Sequence, residues 1–294
     1  MNFATVILAG KQHALACVDS TAQTVRLLKS AGGRPISDMN ELIEHFGVLR
    51  GALVLGDEKI PLAGVRFAAP IPRPRRNVLC VGKNYHEHAK EFTRSGFDST
   101  ASSAADTIPT APIVFTKMPE TVVASGDTVR YPTGASEQLD YEAELGVVIG
   151  KGGRGIAKAD ALDHVFGYTI INDMTARDLQ ARHKQWFLGK SLDTFCPMGP
   201  WIGTRDAVDG ANLGVRCWIN GELRQDANTR DLIFDIPTLI ETISKGLTLV
   251  PGDIIATGTP AGVGIGFSPP RFLQPGDLME IAIDGLGTLS NRIA

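Results

Sequence analysis

The sequence predicts an α+β fold that is mostly β, with a small N-terminal α/β domain over residues 1–72 and a larger, catalytic-type domain over residues 73–294. Three observations carry this. From Asn77 onward, short apolar runs alternate with turn residues, and only a few stretches have helical spacing. No regular βαβ alternation appears there. Residues 70–76, with Pro70, Pro72 and Pro74, read as a linker between the two parts. A chain of 294 residues can bury about three quarters of its unfolded surface, so it needs no disulfide staples.

In chain order, residues 3–8 and 14–19 read as short strands. Residues 37–46 read as a helix capped by Ser37 or Asp38, with acidic residues in its first turn. Leu53, Val54, Leu55 and Ile60 complete the small domain. After the linker, residues 77–82 form a buried strand, and the polar run that follows is helix-forming. Residues 97–111 are rich in Ser, Ala, Thr and Asp and read as a mobile loop, so the stretch 92–111 is expected to close over a substrate. Strands return at 112–117 and 139–150. Residues 157–164 suit a short helix, 166–173 a strand, 175–186 a helix and 187–200 a loop. Asn220-Gly221 marks a hairpin. Residues 236–244 form a last helix, and 249–264 and 273–283 each begin with a Pro-Gly-Asp turn and continue as a strand.

Composition excludes several functions. The net charge is −3 without a basic run, which argues against nucleic acid as a partner. No apolar stretch approaches the length of a membrane span. The apolar start lacks a basic n-region and runs into Lys11, so it reads as a first strand and not as a signal peptide. Cys17, Cys80, Cys196 and Cys217 are widely spaced, which suggests neither zinc nor disulfides; reduced thiols in a cytoplasm are the simplest reading.

The chemistry concentrates in residues 139–150. Asp140, Glu142 and Glu144 alternate, so on a strand they share one face about 6.6 Å apart, given a rise of about 3.3 Å per residue. Acids entering a core need compensation, and a hard cation supplies it. Glu142, Glu144 and Asp173 form an all-oxygen set that suits Mg²⁺, Mn²⁺ or Ca²⁺; surface carboxylates on half-exposed strands would look the same. His88 and Glu91, three apart on a helix, share a face, so the carboxylate can orient an imidazole acting on water. An exposed polar helix is the plainer alternative. Arg177, Gln180 and Lys190 offer donors to a carboxylate substrate. Residues 258–264 could present backbone N–H groups to an anion. Residues 150–155 match GxGxxG, with Asp173 about twenty residues on. A dinucleotide site is opposed by the acids opening the preceding strand, by the short helix that follows, and by the missing βαβ units.

These pieces occur together. Val81-Gly82-Lys83-Asn84-Tyr85 with His88 and Glu91 comes first, followed by Asp140-Tyr141-Glu142-Ala143-Glu144-Leu145. Asn172-Asp173-Met174-Thr175-Ala176-Arg177-Asp178, Gly189-Lys190-Ser191, and residues 257–264 complete the set. In these motifs the chain resembles the fumarylacetoacetate hydrolase family over about residues 77–294. The resemblance implies a mixed β-roll catalytic domain, usually in a homodimer. It implies a divalent metal held by Glu142, Glu144 and Asp173, a water-activating dyad of His88 and Glu91, and Lys190 as a further catalytic group. Tyr85, Arg177, Gln180 and Thr259 would contact substrate, and Asp140 would lie behind the ligands. Fumarylacetoacetases proper carry another acidic ligand ahead of the dyad. Residues 79–82 supply none, so the acylpyruvase and hydroxymuconate-isomerase branch is the better match. The implied activity is hydrolysis of a C–C bond in a β-diketo acid, with isomerisation of 2-hydroxyhepta-2,4-diene-1,7-dioate or oxaloacetate-type decarboxylation as alternatives. A non-catalytic binding protein on the same fold is the third reading.

Overall fold

The computed structural model describes residues 1–33, 35–98 and 107–294. Among these residues the main sheet has twelve strands. Its order runs Val54–Leu55, Thr24–Lys29, His13–Asp19, Asn2–Ile7, Cys196–Thr204, Val165–Asn172, Ala143–Ile149, Ile254–Ala256, Val78–Gly82 and Ile113–Lys117, with two short strands attached beside this path. The N-terminal strands therefore continue the sheet of the large domain, through Asn2 opposite Gly203 and Phe3 opposite Ile202. A five-stranded sheet packs against the main one, in the order Glu222–Asn228, Gly214–Ile219, Leu278–Ile283, Gly287–Ile293 and Thr128–Val129.

The largest core lies between the two sheets. Leu145, Val147, Tyr168 and Ile170 meet Val215, Cys217, Ile281 and Ile283 there, together with Leu239, Ile240 and Ile243 of the helix Ile236–Ser244. Val148, Phe166, Ile171 and Ile254 face the opposite way, onto Phe3, Leu15, Leu28, Leu42 and Ile43. The strand Ala143–Ile149 is thus buried on both faces, as the apolar run from Leu145 to Ile149 requires.

The helix Ile236–Ser244 falls where it is expected, capped by Asp235, which accepts from Thr238 N at 2.9 Å. The helix Met39–Glu44 is capped by Asp38 and is shorter than the pattern suggests. The Asn220-Gly221 hairpin is present, both residues having positive φ. Three expectations change. The stretch 139–150 is two strands and not one: Leu139–Asp140 pairs with Thr175–Ala176, and Ala143–Ile149 joins the main sheet. The helix expected from residue 175 starts at Arg177 and ends at His183. The loop expected over 187–200 holds a short helix, Phe187–Lys190, and the start of the long strand Cys196–Thr204. Of the expected loop 97–111, residues 99–106 lie outside the described residues, and Phe92 belongs to the helix His86–Ser95. No helix among the described residues is long and apolar enough to cross a membrane.

Gly167 sits where two strands of the main sheet touch. A Cβ there would come 2.2 Å from the carbonyl oxygen of Gly203, a backbone atom that can retreat only by moving its strand. Gly167→Ala is expected to cost about 1–3 kcal/mol, the usual penalty for overpacking, measured as a lower urea midpoint.

Candidate active site

The break between the two strands at 139–149 creates the site. Asp140 ends the first strand, Glu142 lies in the gap, and Glu144 is on the second. Asp173 follows the end of Val165–Asn172, held beside Glu142 by a bond from its own N–H to the Glu142 carbonyl at 2.9 Å. All four carboxylates are buried. Oxygen atoms of Glu142, Glu144 and Asp173 lie within 4.8 Å of one another, so the three side chains can converge on one ion. Asp140 turns elsewhere. It accepts from Arg177 Nε at 2.9 Å, from Gly264 N at 2.6 Å and from Ile265 N at 3.1 Å.

Three buried cations answer the four acids. Lys190, at the end of its short helix, donates to Glu142 Oε2 at 2.7 Å and to Asp173 Oδ2 at 2.9 Å. Arg177 reaches Glu142 Oε1 at 2.7 Å with Nη1, and the same nitrogen donates to Gln180 Oε1 at 3.1 Å. Lys117 donates to Asp173 Oδ1 at 2.6 Å. Burial pushes the Glu142 carboxyl up, but Lys190, Arg177 and His88 outweigh it and hold the group at about 2. Glu144 has no such cover. Burial first, then the charges of Asp173 and Glu142, push it well above the usual carboxylate range. An all-oxygen donor set with this repulsion fits a hard divalent cation.

The dyad is formed. His88 Nδ1 lies 3.1 Å from Glu91 Oε2 on the helix His86–Ser95. His88 is buried and lines the same pocket as Lys83, Phe92, Glu142, Glu144 and Arg177. Gln180, Lys190 and Thr259 line it as well. Thr259 is held by Gln225, whose amide donates to its hydroxyl at 2.8 Å. Tyr85 is buried at the start of the dyad helix and is not among the pocket's lining residues.

The glycine-rich loop does offer N–H groups to anions, and those anions are the protein's own. Gly258 N donates to Glu144 at 2.9 Å, Gly262 N to Glu91 at 3.0 Å and Gly264 N to Asp140 at 2.6 Å. Gly258 has φ +103, and a Cβ there would meet Asn84 at 2.7 Å, so only glycine fits. The other glycine run, at 150–155, is tied by Gly153 to Leu249 through paired backbone bonds, which makes it a structural turn.

Two groups escape sequence reasoning. Lys117 ends an apolar strand and looks like any edge lysine. Lys83 forms a buried pair with Asp98 at 2.7 Å in the pocket wall, and nothing local to either residue announces it.

Comparison with known proteins agrees with this layout. A sequence model of the fumarylacetoacetate hydrolase C-terminal region matches residues 77–294. The oxaloacetate tautomerase YisK of Bacillus subtilis is 56% identical over 240 residues, covering 81% of this chain and 76% of the relative. A fumarylacetoacetate hydrolase structure from Exiguobacterium antarcticum superposes with a TM-score of 0.82 at 37% identity, covering 100% of this chain and 99% of the other. The maleylpyruvate hydrolase of Sphingobium sp. SYK-6, solved with manganese(II) and pyruvate, gives a TM-score of 0.77 at 34% identity, covering 100% and 99%.

Two outcomes follow from the geometry. Mn²⁺ at a hundred times its Kd is expected to raise stability by about 2.7 kcal/mol, seen as a higher Tm that chelator reverses and Glu144→Ala abolishes. Indifference of the Tm to Mn²⁺ and Mg²⁺ would dismiss the metal site. Asp140→Ala leaves Arg177 Nε and the backbone N–H groups of Tyr141, Gly264 and Ile265 without their acceptor, and is expected to cost about 3–5 kcal/mol in urea unfolding, as for other broken buried ion pairs.

Proposed function

We infer, for a chain that belongs to the fumarylacetoacetate hydrolase family, that it is an enzyme moving a proton on a 2-oxo acid with a second carboxylate, of which oxaloacetate is the type. One observation carries the reading. Arg177 Nη2 is buried and has no hydrogen-bond partner among the described residues, although the side chain lines the pocket beside His88 and Lys190. An unmet guanidinium N–H in such a place calls for an anionic ligand, because leaving it unpaired costs roughly 1–3 kcal/mol or more. The 56% identity to an oxaloacetate tautomerase supports the same substrate class.

Glu142, Glu144 and Asp173 are the residues that would hold a divalent cation. When bound there, such a cation acts as a Lewis acid toward the 2-oxo group. The chain's own residues move the proton. Glu91 accepts from His88 Nδ1, which leaves the Nε2 lone pair as the base. Nε2 takes a proton from the carbon beside the 2-oxo group, and the electron pair passes to the carbonyl oxygen. Lys190 and Arg177 face the negative charge that develops. The imidazolium then returns its proton to oxygen or to carbon, so the tautomers interconvert with no net change in atoms. Gln180 and Thr259 orient the substrate.

The intact His88–Glu91 dyad favours a second reading. The same base can deprotonate a water that attacks the distal carbonyl of an acylpyruvate, splitting a C–C bond to give pyruvate and a carboxylic acid. The hydrolases among the structural neighbours support this alternative. Isomerisation of a hydroxydienedioate needs only the proton transfer, and oxaloacetate decarboxylation would be recognised by release of CO₂.

The test follows oxaloacetate, acylpyruvates and a hydroxymuconate-type diene by ultraviolet absorbance with Mg²⁺ or Mn²⁺. Faster loss of the oxaloacetate enol with no pyruvate and no CO₂ is the expected result; pyruvate from an acylpyruvate alone would select hydrolysis. His88→Ala is expected to lower turnover by about 10²–10⁴ while Mn²⁺ still binds, and unchanged turnover would remove the dyad from the mechanism.

A further inference from the structure

Lys117 has no place in the mechanism above, yet it is fully buried against the acidic cluster. It ends the edge strand Ile113–Lys117, and it is not among the residues lining the pocket. A lysine ammonium has three N–H donors. The three acceptors within reach are Asp173 Oδ1 at 2.6 Å, the Met174 carbonyl at 3.0 Å and the Lys190 carbonyl. All three donors are accounted for, so this ammonium has nothing left to give a ligand.

We propose that Lys117 is a positioning residue that holds one oxygen of Asp173 away from the ion and fixes the backbone from which Lys190 reaches the substrate. The inference rests on the metal reading above. Its support is the way Asp173 is divided: Oδ1 goes to Lys117, and Oδ2 points to Lys190. Oδ2 lies on the side of Glu142, with whose Oε2 it shares the Lys190 ammonium, and is the oxygen left for an ion. Lys190 is held at both ends by the same strand. Its carbonyl accepts from Lys117, and its ammonium sits 5.1 Å from the centre of the Phe115 ring. Phe115 and Lys117 are two apart on a strand and so share a face.

The competing explanation is plain charge compensation of Asp173. The two differ in what they do to different ions. Losing a compensating charge changes the attraction for every dication alike. Losing a geometric hold acts selectively, because Mg²⁺ demands near-octahedral single-oxygen ligation, whereas Ca²⁺ accepts six to eight ligands and bidentate carboxylates. A freed Asp173 that can present both oxygens therefore favours Ca²⁺.

The experiment is calorimetric titration of the full chain with Mg²⁺ and with Ca²⁺, comparing wild type with Lys117→Gln and Lys117→Met. The ratio of Mg²⁺ to Ca²⁺ affinity is expected to fall about 10-fold or more in both variants, within the roughly 10–100-fold range seen when groups behind metal ligands are removed. Equal changes for the two ions, or none, would overturn the proposal in favour of charge compensation. Binding of neither ion to wild type would sink the metal reading itself, and this proposal with it. Should the variants fail to fold, a crystal structure of Mn²⁺-loaded wild type decides. One Asp173 oxygen on the ion with the other on Lys117 is expected; bidentate Asp173, or Lys117 turned away, would refute it.

Discussion

Four carboxylates buried side by side are the constraint to which the catalytic region answers. Two like charges about 4 Å apart repel by about 4 kcal/mol even at an effective dielectric of about 20. The chain meets this by bringing a cation from each of three segments: Lys117 from the edge strand, Arg177 from the start of a helix, and Lys190 from the end of another. Each cation bonds to a different combination of acids, so the electrostatic requirement also fixes where those segments sit. The compensation is incomplete at Glu144, which receives one backbone N–H and no bonded cation among the described residues. A cation held by Glu142, Glu144 and Asp173 would relieve that residual imbalance.

Alternation along the sequence puts Asp140, Glu142 and Glu144 on one face, and this much of the site is legible without a structure. The division of labour among them is not. Asp140 parts from the other two because the strand breaks after it, and the break exists because Leu139–Asp140 pairs with Thr175–Ala176, some thirty-five residues away. No local pattern records that pairing. The same holds for Lys117, whose position after Ile113, Val114, Phe115 and Thr116 is what a charged edge-strand residue looks like. Its significance comes only from Asp173 and Lys190 arriving beside it.

The stretch after Lys190 shows a different failure. Pro197, Gly199 and Pro200 are strong loop signals, yet Cys196–Thr204 is a fully buried strand. It pairs with Val165–Asn172 on one side and, in part, with Asn2–Ile7 on the other. Tertiary pairing and burial override local propensity there. Where local and tertiary demands agree, as in the Asp235-capped helix or the Asn220-Gly221 hairpin, the sequence is read correctly to within a residue or two.

The loop through Gly258, Gly262 and Gly264 joins these strands of argument. It donates backbone N–H groups to Glu144, Glu91 and Asp140, one acid from each part of the pocket region: the Glu142–Glu144–Asp173 cluster, the His88–Glu91 pair and the Asp140–Arg177 pair. A backbone donor carries no side-chain entropy of its own and cannot swing away, so it fixes each carboxylate more firmly than a lysine would. The close approach needs glycine: a Cβ on Gly266 would fall 1.8 Å from Glu91 Oε1, and one on Gly264 would fall 2.8 Å from Asp140 Oδ1. Movement of this loop therefore shifts Glu91, which is paired with His88, and two of the buried acids together. One continuous piece of backbone thus ties the helix of His88 and Glu91 to the acidic cluster, in addition to the packing of Phe92 on Trp186, Val263 and Ile265.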